Sequence, residues 1–237
     1  MSFFKDLVSR IFPSLADGAT FEKRMSSADS PTQKPVTIAE IAGHQPEWIV
    51  VGLGNPGKKY AATRHNVGYM AIDDILANHG EILRPVAGVP ASAALVSVGS
   101  TPVLIARSST FMNLSGEPIA VLASKLDIPA ERIIVAHDEL DLPAQKVRLK
   151  KGGNENGHNG LKSLTEQLGT RDYLRVRMGI GRPQKDHRGN AQPIVDWVLG
   201  PVDTTEGFDE FIERAVFAVE ALISEGLNRA QNSVHAN

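Results

Sequence analysis

Apolar positions in this chain fall into short unbroken runs separated by longer stretches of helical period. The runs at 48–51, 94–98, 102–106, 132–136, 146–149 and 174–180, rich in Val, Ile and Leu, predict strands. Gly68, Ile72, Ile75 and Leu76 share one helical face. So do Phe208, Phe211, Ile212, Ala215, Val216, Val219, Leu222 and Ile223, and a shorter period runs over 161–168. Strands interleaved with helices predict an α/β fold, a sheet with helices on both faces. The runs 94–98 and 102–106 flank a Gly99-Ser100-Thr101 turn and predict a hairpin, so the sheet is expected to be mixed.

Residues 1–46 read differently. Phe3, Phe4, Leu7, Val8, Ile11 and Phe12 recur at helical spacing, and Ser, Thr, Pro, Asp and Gly are scattered through 16–46. This predicts an extension, a short amphipathic helix plus linker, ahead of a single domain over 47–235. A chain of 237 residues, 42% hydrophobic and 22% charged, is long enough for one substantial core. It has no cysteine, which excludes disulfides, thiolate nucleophiles and cysteine-bound zinc. No apolar run approaches the roughly 20 residues that span a bilayer, and the start lacks a secretion signal. The expectation is a cytoplasmic protein with no membrane partner.

The net charge of −2 hides an asymmetry: residues 146–188 hold eleven Lys or Arg against four Asp or Glu, whereas 189–237 hold two against eight. With interspersed Gly and Asn, the first stretch predicts a surface for a polyanion, the alternative being ordinary solvated cations.

Four segments carry candidate chemistry. Gly52-Leu53-Gly54-Asn55-Pro56-Gly57 follows a strand and matches the dinucleotide fingerprint, with Asp73 and Asp74 downstream as candidate ribose acids. Pro56 removes an amide donor from the turn, the next helix is delayed, and the two acids fall within it, so a dinucleotide is not expected. Close behind comes Thr63-Arg64-His65-Asn66-Val67-Gly68, which sets His65 at a loop-to-helix junction with an imidazole able to take a proton near neutral pH. His137-Asp138-Glu139-Leu140-Asp141 follows a central apolar strand, where ligands gather in open α/β sheets. Asp138 can orient His65 through one ring nitrogen and leave the other free. A metal site from His137, Asp138 and Asp141 with His65 or His158 is the rival, weakened because adjacent strand residues face opposite ways.

Ser115 lies in no nucleophile elbow and reads as a helix start with a capping role. Asn113 beside Phe111 offers an amide for an oxyanion and an aromatic ring for a base or ribose. In Lys150-Lys151-Gly152-Gly153-Asn154-Glu155-Asn156-Gly157-His158-Asn159-Gly160, the glycines permit close approach, and Asn159 stands at a helix start as anion contact or cap.

Together these segments resemble the bacterial-type peptidyl-tRNA hydrolases. The residues are Gly52 to Gly57 with Tyr60, Thr63 to Gly68, Thr110-Phe111-Met112-Asn113-Leu114-Ser115-Gly116, His137 to Pro143 and Gly157-His158-Asn159-Gly160-Leu161-Lys162. Order and spacing agree, and the resemblance covers about 47–235, including Arg177 to Pro183 and Leu227 to Asn232.

The resemblance implies a single domain with a twisted mixed sheet, a monomer, no cofactor and no metal. It implies that His65 activates water against the ester joining a peptide to the tRNA 3′-ribose, with Asp138 orienting it. Asn113 and Asn159 would hold the carbonyl, the water or the terminal nucleotide, and Asn55 would read the first peptide amide. Tyr60 and Phe111 would line the acceptor-end site, and Lys150 and Arg177 would clamp the tRNA 5′-phosphate. The substrate is then peptidyl-tRNA dropped from ribosomes, and a noncatalytic tRNA-binding protein on the same fold is the competing class. Two departures stand out: the extension, and the loop 152–157, which has fewer glycines than the family's usual lid.

Overall fold

A short helix, Ile38–Gly43 (α1), precedes the first strand, Trp48–Gly52 (β1), which is buried along its whole length. The structure, a computed structural model, describes residues 33–185, 187–204 and 206–236, so the predicted helix within 1–15 lies outside the described residues. From β1 the chain passes through Val67–His79 (α2) to Arg84–Pro85 (β2), Ala91–Val98 (β3) and Thr101–Ser108 (β4). Gly116–Lys125 (α3) returns it to Ile133–Glu139 (β5), followed by Val147–Lys151 (β6), Asn159–Leu168 (α4) and Leu174–Gly179 (β7). Three helices close the fold: Ile194–Val198 (α5), Phe208–Glu225 (α6) and Leu227–His235 (α7).

The seven strands form one sheet in the order β2-β3-β4-β1-β5-β7-β6. The central four, β4, β1, β5 and β7, are parallel, and antiparallel pairings finish both edges. The expected hairpin is β3–β4, with Val98 opposite Thr101 and Gly99 in the turn at φ +60°. Parallel strands covered on both faces need apolar residues at every position, which is why 48–51 and 132–136 read as unbroken runs. Val50, Ile134 and Ala136 enter one core beneath α2, α6 and α7. Ile49, Val51, Ile133 and Val135 enter the other, beneath α1, α3 and α4. Among the described residues no helix is long and apolar enough to cross a membrane.

Two elements differ from the sequence reading. β5 does not end at Ala136: His137, Asp138 and Glu139 continue it, paired with Arg177, Met178 and Gly179 of β7. Residues read as the end of a linker instead form α1. Thr37 accepts from Glu40 N at 3.1 Å and the Glu40 carboxylate accepts from Thr37 N at 2.7 Å, so each satisfies an end of the first turn. Ile41 is buried in the core, and Val36 bridges to Val86.

Candidate active site

The site lies past the carboxyl ends of β1 and β5, where the chain leaves β1 for one side of the sheet and β5 for the other. Two glycines make this crossing close. A methyl group on Gly52 would press on the Gly68 carbonyl, and one on Gly68 on the Ala136 carbonyl and the Leu53 main chain. The first turn of α2 therefore rests directly on both strand ends. The glycine turn serves this approach, not a nucleotide: α2 begins only at Val67, after 3-10 turns at Lys58–Tyr60 and Arg64–Asn66. Asn66 then locks the two halves, since its Oδ1 accepts from Asn55 N at 2.9 Å and its Nδ2 donates to Asn55 O at 2.9 Å.

His65, on the second of those turns, is thereby set against Asp138, with Nδ1 2.8 Å from Asp138 Oδ1. His158 reaches the same oxygen with Nε2 at 2.9 Å. The hydrogen bonds fix the protons. His158 Nδ1 accepts from Gly160 N at 3.1 Å and Leu161 N at 3.3 Å, so its own proton sits on Nε2 and is donated to Asp138. An ionised carboxylate only accepts, so His65 donates from Nδ1 and keeps a lone pair on Nε2. Asp138 is all but sealed from solvent, with 2% of its side chain exposed against 12% for His65. A cavity of about 110 Å³ opens at this point, lined by His65, Asp138, His158, Asn159, Glu155 and Val195.

Charge follows from these contacts. Burial alone would push the Asp138 carboxyl up, but the two imidazoles and their hydrogen bonds prevail and hold it well below the usual carboxylate range. Burial would draw His65 down, but the Asp138 charge and hydrogen bond outweigh it and leave its pKa raised. A buried carboxylate thus makes a half-hidden imidazole more basic, the arrangement a general base requires.

The other candidate residues divide. Asn55 is buried and its Oδ1 accepts from Met112 N at 2.9 Å. A main-chain N–H on the oxygen assigns the amide's orientation and leaves Nδ2, a donor, as the end available to a ligand. It suits the carbonyl of a peptide amide, while Oδ1 keeps a second lone pair. Asn113 is exposed on the turn Met112–Leu114, next to the residue that Asn55 holds. Tyr60 and Phe111 meet edge to face at 6.3 Å, and Phe111 is 54% exposed. Lys150 and Arg177 share one face of the β6–β7 pair on diagonal positions, Arg148 lying opposite Arg177 and Lys150 opposite Arg175. Arg177 also donates to Glu139 Oε2 at 2.9 Å.

Three expectations change. Ser115 starts α3 without capping it; the Gly116 N–H donates instead to Ser163 Oγ of α4 at 2.9 Å. The cap of α4 is His158, not Asn159, which leaves the Asn159 amide lining the cavity. The metal set built on His137 and Asp141 comes apart. His137 donates from Nδ1 to Asp138 O and is pushed down to about 3 by burial and His158, while Asp141 pairs with Arg182 at 2.7 Å. Ligand-type atoms do converge on His65, Asp138 and His158, all within 4.8 Å. They are already joined by the two imidazole N–H bonds, so an ion would have to displace both protons. A larger hollow of about 550 Å³, by Val36, Ile41 and Leu95 at the sheet edge, contains no such hydrogen-bonded acid–base pair among its described residues.

Comparison with known proteins gives this geometry a context. Residues 49–237 match the family model described as peptidyl-tRNA hydrolase. The chain is 58% identical over 191 residues to peptidyl-tRNA hydrolase 2 of Corynebacterium glutamicum, covering 80% of this chain and 88% of that protein. It is 47% identical over 221 residues to peptidyl-tRNA hydrolase 2 of Corynebacterium jeikeium, covering 90% of each. The crystal structure of peptidyl-tRNA hydrolase from Acinetobacter baumannii superposes with a TM-score of 0.72 at 31% identity, over 81% of this chain and 96% of that one.

Proposed function

The chain belongs to the peptidyl-tRNA hydrolase family, and from that premise we propose that it cleaves the ester between a peptide and the 3′-ribose of tRNA through water activated by His65. The observation that supports the mechanism is the shared Asp138 oxygen, which holds His65 by Nδ1 and leaves Nε2 without that bond on a residue that lines the cavity. Nε2 takes a proton from water as the water oxygen attacks the ester carbonyl carbon, and Asp138 stabilises the imidazolium that results. The tetrahedral oxyanion is met by amide donors, with Asn113 and Asn159 assigned to it and Asn55 Nδ2 to a carbonyl of the peptide. Collapse expels the ribose 3′-oxygen, which recovers the proton from His65, leaving free tRNA and a peptide carboxylic acid that gives its remaining proton to solvent. An ester is activated enough for this route to proceed without a covalent nucleophile, in keeping with a chain that has no cysteine.

On this reading Tyr60 and Phe111 form the apolar wall for the acceptor end, and Lys150 with Arg177 holds the 5′-phosphate. The enzyme works as a monomer in the cytoplasm, where peptidyl-tRNA leaves the ribosome. The test is His65→Ala assayed on N-acetyl-aminoacyl-tRNA. Peptide release is expected to fall by about 10²-fold or more with tRNA binding retained. Full activity in the variant overturns the assignment of His65.

A further inference from the structure

The loop Gly152 to Gly157 meets an unusual concentration of buried polar groups. Arg175, 2% exposed, donates to Asn154 O at 2.8 Å and Gly153 O at 2.9 Å, and its guanidinium also reaches the Tyr173 hydroxyl at 3.3 Å. The Tyr173 hydroxyl lies 3.0 Å from Thr165 Oγ1, and Thr165 donates to Glu155 Oε1 at 2.8 Å. Donor order follows from the two ends: Arg175 can only give hydrogen bonds and Glu155 can only accept them. Thr165 gives its one proton to Glu155, so the Tyr173 hydroxyl, which accepts from Arg175, shares its own proton between Thr165 Oγ1 and Leu161 O at 3.3 Å, and the chain ends on Glu155, which is itself in the loop. Arg171 completes the circuit with Nε 2.7 Å and a terminal nitrogen 3.3 Å from the Glu155 carboxylate. A cation and an anion are thus joined through two hydroxyls around a loop that the sequence marks as glycine-containing.

The Glu155 carbonyl accepts from His158 N at 2.8 Å, and Asn156 and Gly157 between them adopt positive φ of 49° and 81°. The tight turn that this makes aims His158 at Asp138. We propose that Glu155 is a positioning residue: the ring it closes with Arg171, Thr165, Tyr173 and Arg175 fixes residues 152–157 in the conformation that keeps His158 on the carboxylate orienting His65.

The ring therefore acts on the base at one remove. With His158 in place, Asp138 Oδ1 shares its negative charge between two N–H donors; with His158 withdrawn, it acts on His65 alone and makes it a stronger base. Burial raises Glu155, but hydrogen bonds from Arg171 and Thr165 prevail and hold it at about 2, so the ring stays charged wherever His65 titrates. The remaining charged groups around the pair do not change with Glu155. His137 is neutral, Glu139 is matched by Arg177, and the Arg175 guanidinium lies against the loop main chain, not the imidazole pair.

This inference rests on the reading of His65 as the base, so the experiment has one readout that does not depend on activity. The His65 imidazole is titrated by NMR in the full chain for the native protein, Glu155→Ala, Glu155→Gln and Arg171→Ala, and the pH profile of kcat/KM is measured on N-acetyl-aminoacyl-tRNA. Glu155→Ala is expected to move the His65 titration and the acid limb together to higher pH. It should lower kcat about tenfold with little change in KM. Glu155→Gln, which keeps an oxygen for Thr165 and leaves no buried charge behind, is expected to lie between and guards against a variant that fails to fold, and Arg171→Ala, at an exposed side chain, takes the cation away from the carboxylate. A His65 titration unchanged in the variants that fold overturns the proposal. If the activity limb departs from the His65 titration in the native protein, the base assignment fails instead, and the NMR shift still decides the role of Glu155.

Discussion

Asp138 gives one oxygen to two imidazoles, and the consequences for His65 are electrostatic as well as geometric. Replacement by Asn keeps an acceptor of similar shape but removes the charge that outweighs burial at His65. In Asp138→Asn the acid limb of kcat/KM is therefore expected to move to lower pH, because the buried imidazole loses the partner that favoured its cation. The plateau should fall by roughly 10²–10⁴-fold, since the imidazolium is no longer stabilised nor its tautomer enforced. A pH–rate profile with the limb in its native position would show that another group sets it. His65 and Asp138 were legible in the sequence because each stands at the end of an element whose apolar pattern is plain. His158 was readable only as a spare ligand, since histidine is not among the residues that usually cap helices and the cap therefore fell to Asn159. The orientation of the Asn55 amide could not be read from the sequence, because it depends on Met112, 57 positions away. The ring around Glu155 was invisible for the same reason, as Thr165, Arg171, Tyr173 and Arg175 converge only when α4 and β7 are in place.

At the scale of elements, α2 carries His65 at its entry and packs along α6, and that interface holds two acids. Glu220 of α6 is 6% exposed and Asp74 of α2 is 4% exposed. Burial, reinforced by the Asp74 charge, pushes Glu220 up to about 7. A carboxyl whose pKa is raised by folding binds its proton more tightly when folded, so its destabilising effect is absent below its ordinary pKa and complete above the folded value. Stability is thus expected to decline from about pH 5 to about pH 7.5 on account of this group. Glu220→Gln removes the charge at constant size, and is expected to raise Tm at pH 8 by roughly 2–6 °C with little gain at pH 5. An equal change at both pH values would show that packing, not ionisation, is responsible. The helices themselves, like the central strands, were written in their apolar period. β2, of two residues, and α5, of five, are too short to show one. α1 sat in a stretch dominated by loop-forming residues, though Thr37 and Glu40 at capping-box spacing were a usable signal.

The molecule as a whole is nearly neutral, and its basic stretch is less free than the count of eleven cations suggests. Arg171, Arg177 and Arg182 are paired with Glu155, Glu139 and Asp141, and Arg175 is committed to loop carbonyls. Composition records charge but not which cations already face a carboxylate, as Arg171, Arg177 and Arg182 do, or lie buried, as Arg175 does. What remains outward on the β6–β7 face includes Lys150. Removing Arg177 would test the tRNA contact poorly, because it strands Glu139, whose side chain is only 7% exposed. Lys150→Ala leaves no buried charge behind. If Lys150 meets a phosphate of the acceptor end, its loss reduces by about one the slope of log affinity for peptidyl-tRNA against log salt, and binding weakens alike for tRNAs of different sequence. Because the contact lies in binding and not in the chemical step, kcat at saturating substrate is expected to be unchanged. A slope equal to that of the native protein would remove Lys150 from the tRNA face and leave Arg177 to meet the phosphate without it, at the expense of its pairing with Glu139.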